Sequence, residues 1–323
     1  MKTCMVWNQP GHEGELPYGA HIGTQVLHSI VQGLGMVWWS GDRVAAGVGQ
    51  WDAYIVNLFA NMEHVTQIKA RQPGAFVVAL PDAYFDEVFA EHRPHLAHNF
   101  MQQLRAADAI GYVSESNRRF YAAWGKPMVK IPIAIGTDNY FDAMRRVPKE
   151  DYLLTCDHSP RTPDYTIQNV AACAMIQREL GVEVVYANVG PQTKVYAAQL
   201  GLEAAFYPNM VYEDYVRMAA RARVGVDMYA LHGFGRNALT LAACGTPCVS
   251  SRYTEIAAAG LDAWDAEGAA AQAVALLTDK GAWAVARDEA IRRAQEYRFE
   301  AVRDEMHEIL QRVEELWRSP VCS

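Results

Sequence analysis

His232-Gly-Phe-Gly-Arg-Asn-Ala-Leu-Thr-Leu-Ala-Ala-Cys-Gly-Thr-Pro-Cys-Val-Ser-Ser251 is the most informative stretch of this 323-residue chain. The apolar run Val224 to Met228 before it predicts a strand, Asn237 to Cys244 has helical spacing, and Pro247 to Ser250 predicts a further strand. The loop between the first strand and the helix carries Gly233 and Gly235. Glycines have no side chain to hold a ligand off the backbone, and the first turn of a helix has N–H groups without intrahelical acceptors. Together they suit an anion such as a phosphate. The plainer reading is a tight strand-to-helix turn, and a lone Gly-x-Gly does not decide between the two.

The same alternation of apolar and amphipathic runs extends in both directions and predicts α/β layering. Upstream, strands are expected at Thr3–Trp7, Met36–Trp39, Ala53–Leu58, Ala75–Leu80, Ala109–Val113 and Met128–Ile131. Helices are expected at Gly19–Leu34, Glu63–Arg71, Leu96–Ala106 and Ser116–Trp124. The polar stretch Asp142–Asp151 breaks the pattern and reads as a linker. A second α/β unit then runs through a strand at Tyr152–Cys156, a helix from a Thr162-Pro163 start to Gly181, a strand at Glu183–Asn188 and a helix at Tyr212–Ala222. The tail, Lys280–Trp317, reads as helical and charged on one face.

Composition narrows the function classes. Hydrophobic residues make up 51% and charged residues 20%, so the chain can bury sizeable cores and is not a disordered polymer. A net charge of -8, from 29 Lys and Arg against 37 Asp and Glu, argues against a general nucleic-acid coat. Met1 to Val6 is too short an apolar run for a secretion signal, and no stretch has the length of a membrane span. The six scattered cysteines include no Cys-x-x-Cys pair, which fits reduced thiols in the cytoplasm. His92, His95 and His98 are spaced by three as on one helix face, but Pro94 is expected to break that helix and no nearby cysteine completes a metal set.

The 232–251 segment resembles the donor-binding region of GT-B glycosyltransferases, especially family four. That pattern is roughly Glu-Gly-Phe-Gly, three residues, Leu-Glu-Ala, then Ala-Cys-Gly-Thr-Pro and a strand. Gly233, Phe234, Gly235, Leu239, Ala243, Cys244, Gly245, Thr246 and Pro247 fall in register with it. Lys130-Ile-Pro-Ile-Ala-Ile-Gly-Thr-Asp-Asn-Tyr-Phe141 is similar to the family's interdomain segment, Ala107–Ser116 to the strand before it, and Pro17–Gly23 to its first glycine-bearing loop.

The resemblance implies an α/β fold of two Rossmann-like domains facing across a cleft (GT-B). Residues 1–145 would form the acceptor-side domain and 146–300 the nucleotide-sugar domain. Residues 301–323 would be a C-terminal helix placed to pack back on the first. It further implies transfer of a sugar from a UDP- or GDP-sugar to an acceptor hydroxyl, with no cofactor. No Asp-x-Asp motif calls for a metal. Gly233, Phe234, Gly235, Arg236, Asn237 and Thr240 would line the donor.

The chain departs from the family where the chemistry would sit. The family's two glutamates correspond to His232 and Thr240. Thr240 offers a ribose hydroxyl one hydrogen bond in place of a carboxylate's charge-assisted grip. His232 either bonds a sugar hydroxyl or phosphate or is a solvated loop histidine. Of the family's Arg-x4-Lys pair, Arg161 stands at the lysine position and Cys156 at the arginine position. Arg236 either supplies the second positive charge at the helix start or is solvated.

In the first half, Asp82 follows a predicted strand, where it is either a general base for the acceptor or a helix N-cap. Tyr18 and His21 are acceptor-side candidates by position. A nucleic acid enters only as a modified-base acceptor. Two other readings stay open: a nucleotide-sugar-binding protein of this fold without turnover, and a nucleotide-sugar epimerase.

Overall fold

The computed structural model describes residues 1–7, 37–40, 51–58, 63–81, 94–132, 138–157, 167–208, 210–229, 235–252, 254 and 260–319. The chain forms two compact units, residues 1–134 with 299–323, and residues 135–298.

The first unit is built on β1 (Thr3–Trp7), β2 (Val37–Ser40), β3 (Ala53–Leu58), β4 (Phe76–Pro81), β5 (Ala109–Tyr112) and β6 (Met128–Lys130), with helices α1 (His64–Arg71), α2 (Pro94–Ala106) and α3 (Glu115–Tyr121). The strands form one parallel sheet in the order β2-β1-β3-β4-β5-β6. All six residues of both β3 and β4 are buried, as the near-continuous apolar runs Ala-Tyr-Ile-Val-Asn-Leu and Phe-Val-Val-Ala-Leu-Pro require of central strands covered on both faces. Gln103 of α2 accepts hydrogen bonds from the Val65 and Thr66 N–H groups at 2.9 and 3.2 Å, so a neighbouring helix caps α1 where Glu63 does not. Pro94 is the first residue of α2 and starts that helix rather than breaking it.

The second unit runs α4 (Asp138–Arg145), β7 (Glu150–Cys156), α5 (Ile167–Leu180), β8 (Glu183–Ala187), α6 (Pro191–Leu200), β9 (Ala204–Tyr207), α7 (Tyr212–Arg221), β10 (Ala222–Asp227), α8 (Arg236–Ala243), β11 (Cys248–Ser250), α9 (Ala266–Thr278) and α10 (Lys280–Gln295). Its sheet is also parallel, in the order β11-β10-β7-β8-β9. The core lies under α5 and α9 and is formed by Leu153, Val184, Val224, Val226 and Val249 with Val170, Cys173 and Ile176.

The expected linker at 142–151 is the end of α4 and the start of β7, and the division between units falls earlier, at 134/135. Two of its charged residues clamp the ends of helices. Arg145 Nε donates to the Ala243 carbonyl at 2.8 Å, and Lys149 Nζ donates to the Ala220 and Cys244 carbonyls at 2.7 and 3.2 Å. The expected helical tail comprises α10 in the second unit and α11 (Phe299–Arg318), which is grouped with the first. Sequence patterns alone predict no element at α6, β9 or α9.

Candidate functional site

From β7 the second unit's chain winds outward through β8 and β9, then returns to the other side of β7 for β10 and β11. The connections after β7 and β10 therefore leave in opposite directions. A crevice results at the carboxyl ends of these strands, the place where open parallel sheets take ligands. Cys156 and Asp157 stand at the end of β7 and Asp227 and Met228 at the end of β10.

The glycine-bearing connection leads from β10 into α8 at this crevice. Gly235, the N-cap of α8, has φ 83° and ψ 52°, in the left-handed region that a side chain disfavours. It contributes no side-chain cap, and its carbonyl accepts the Leu239 N–H at 2.9 Å to begin the helix. The middle of α8 lies directly on β10, because a Cβ at Gly225 would stand 2.5 Å from Leu241 Cδ1.

The other end of α8 accounts for the Ala-Cys-Gly-Thr-Pro sequence. Gly245, at φ 70°, donates its N–H to Ala242 O, and Thr246 donates its N–H to Leu241 O, both at 2.9 Å; this is a Schellman stop. The Thr246 hydroxyl donates to Ala219 O at 2.6 Å, which ties the stop to the end of α7. Arg145 and Lys149 place two cations on the carbonyls there. Burial pushes the Lys149 ammonium down to about 8, with Arg287 and Arg223 adding to the shift. Cations thus hold the negative end of the α8 dipole while its positive end faces the crevice.

Of the expected donor-side residues, Gly235, Arg236, Asn237 and Thr240 are at the start of α8. Thr240 is 1% exposed, and its hydroxyl donates to the Arg236 carbonyl at 3.0 Å, one turn back. Only its lone pairs are left to offer. Arg161, His232, Gly233 and Phe234 lie outside the described residues, as do Asp82, Tyr18 and His21.

Cys156 supplies no positive charge. Its buried thiol is pushed well above its ordinary range by burial, then by the Asp227 and Asp157 carboxylates. Asp157 is engaged elsewhere: its Oδ2 accepts from the Gly190 N–H and the Thr193 hydroxyl, both at 2.7 Å, capping α6.

One participant had no sequence signal. Asn169, in the first turn of α5, lies between the ends of β7 and β10: its Oδ1 accepts from the Met228 N–H at 2.6 Å, and its Nδ2 donates to the Cys156 carbonyl at 3.4 Å. An asparagine early in a helix reads as an ordinary capping or surface residue. Among the described residues no group of three or more His, Cys, Asp or Glu could hold a metal ion, and no helix is long and apolar enough to cross a membrane.

No protein-family model and no curated protein sequence matches the chain. Solved structures do. A trehalose-6-phosphate structure from E. coli bound with UDP-2-fluoro glucose is similar over 99% of both chains, with a TM-score of 0.67 at 11% identity. The sucrose-phosphate synthase of Thermosynechococcus elongatus covers 93% of this chain and 81% of its own, with a TM-score of 0.66 at 15% identity. An alpha,alpha-trehalose-phosphate synthase (UDP-forming) from Burkholderia xenovorans, in complex with glucose-6-phosphate, covers 88% and 78%, with a TM-score of 0.60 at 11% identity. At such identities the likeness is one of architecture, and that architecture, two Rossmann-like domains each built on a parallel sheet, is the GT-B fold.

Proposed function

We propose that the chain is a glycosyltransferase whose second unit holds a nucleotide diphosphate-sugar and whose first unit presents the acceptor. The observation that carries this reading is the glycine-led, dipole-positive start of α8 at the switch point of the second sheet. Neighbours of the same fold are described as bound with UDP-2-fluoro glucose or as UDP-forming, so UDP-sugars are the first donors to test.

In this reading the charge that develops on the departing diphosphate falls on the guanidinium groups of Arg161 and Arg236 and on the amides of the Gly233-Phe234-Gly235 turn, rather than on a metal ion. Asn237, and Thr240 as acceptor only, face the ribose, and His232 faces the sugar. Asp82 takes the proton of the acceptor hydroxyl, with Tyr18 and His21 beside it. The free cysteines Cys4, Cys156, Cys173, Cys244 and Cys248 accord with work in the cytoplasm.

Thermal unfolding with a panel of UDP- and GDP-sugars tests this. The correct donor at a hundred times its Kd stabilises by about 2.7 kcal/mol, and Arg161→Ala abolishes the shift. A panel without any shift refutes the reading. A second reading, a binding protein without turnover, is favoured by Cys156 and Thr240, both buried and satisfied within the fold where the family has charged side chains. Slow, Arg161-dependent release of nucleoside diphosphate from the donor alone distinguishes the enzyme.

A further inference from the structure

We infer that Asn169 is a positioning residue that sets the width of the second unit's crevice by replacing the last rung of its β-ladder; its bearing on a ligand rests on the nucleotide reading above. After a register shift between Ala222 and Val224, β7 and β10 pair in one register from Val224 opposite Leu153 to Val226 opposite Thr155. Continued by two residues, that register would set the Met228 N–H against the Cys156 carbonyl, the next bond of a parallel ladder. The two groups bond instead to the two ends of one side-chain amide, Asn169 Oδ1 and Nδ2, at 2.6 and 3.4 Å.

A carboxamide has the donor and acceptor of a peptide group and takes the place of one. It parts the strands by its own width and leaves neither backbone group unsatisfied. Asn169 is 0% exposed, so water does not compete for these bonds.

The placement matters because three segments meet there. Cys156 is followed, after Asp157, by the connection at 158–166 that carries Arg161, and this connection ends in α5, the helix that bears Asn169. Met228 is two residues from the connection at 230–234 that leads to Gly235. One buried amide therefore holds the roots of both connections that the diphosphate reading requires. A shift of about an ångström between groups that grip the same ligand is enough to weaken their joint action about tenfold or more.

Three variants test this. Asn169→Leu removes both bonds at similar volume, and Asn169→Ser serves if the leucine variant does not fold. Val170→Ala shortens the neighbouring, fully buried side chain, which takes no part in the bridge, and matches a general loss of stability. Amide hydrogen exchange at Met228 and UDP affinity by calorimetry are measured on all of them. Exchange at Met228 is expected to be about a hundredfold faster in the Asn169 variants than in Val170→Ala. UDP affinity is expected to fall about tenfold in the Asn169 variants and to hold within about twofold in Val170→Ala. Equal Met228 exchange in both sets overturns the bridge, and faster exchange with unchanged UDP affinity overturns its positioning of the ligand. A wild-type chain that binds neither UDP nor GDP removes the nucleotide reading, and the exchange comparison then decides the bridge alone.

Discussion

A side chain at position 235 would have to adopt φ 83° and ψ 52°, which costs L-residues about 1–2 kcal/mol. Gly235→Ala is therefore expected to lower stability by that amount in thermal or urea unfolding, and Gly235→Asn by less, since asparagine tolerates the left-handed region. Lys149 makes a second residue-scale case. Lys149→Met strips the Ala220 and Cys244 carbonyls of their donor and should cost about 1–3 kcal/mol at pH 7.

The Lys149 substitution also changes the pH profile. With the folded-state pKa pushed down to about 8, below that of the unfolded chain, the unfolded state binds more protons as the pH rises from about 8 toward the usual lysine range. Lys149 therefore makes stability rise with pH across that window. The difference between wild type and Lys149→Met in urea unfolding at pH 7 and 9.5 should show it; a difference independent of pH would show that the ammonium keeps an ordinary pKa.

At the scale of elements, α8 and β10 depend on one close approach. Gly225→Val drives a side chain into Leu241 and should cost roughly 1–3 kcal/mol from overpacking. Adding Leu241→Ala should recover part of that loss, so the two substitutions will be non-additive in a double-mutant cycle. The elements legible in the sequence were those with strong local patterns. Thr3–Trp7 and Ala53–Leu58 are strands at the residues expected, and α8 lies within one residue of its expected span. The elements missed lack such patterns. β9 has only four residues, Ala-Ala-Phe-Tyr, none of them fully buried. α6 begins at Gly190-Pro191 and takes its cap from Asp157, over thirty residues upstream in the chain. α9 is alanine-rich and nearly without amphipathic contrast.

At the scale of the whole molecule, the two units differ in continuity. The second is one uninterrupted segment with its own core, so residues 135–298 are expected to fold alone with a cooperative thermal transition. The first is completed by α11, which buries Val302, Ile309 and Val313 along one face. Burial of such side chains contributes roughly 1.5–3 kcal/mol each before chain entropy offsets part of it. The exposed Lys130–Glu305 pair at 2.5 Å adds little. Truncation after residue 298 should thus destabilise the first unit and leave the transition of the second in place, visible as two separated unfolding steps. A single unchanged transition would show that α11 contributes nothing.

Local sequence patterns suffice for the α/β class, most strands and the glycine-led entry to α8, because period-two and helical patterns, left-handed glycines and helix stops are local properties of the chain. Three things were decided only by the tertiary structure: the strand order that creates the crevice, the use of Asp157 as a cap for α6, and the insertion of Asn169 between Cys156 and Met228. Each depends on partners far apart in the chain; for Asn169 the separations are 13 residues to Cys156 and 59 to Met228. Pairings at that separation follow from how the layers pack, which no local pattern of side chains encodes.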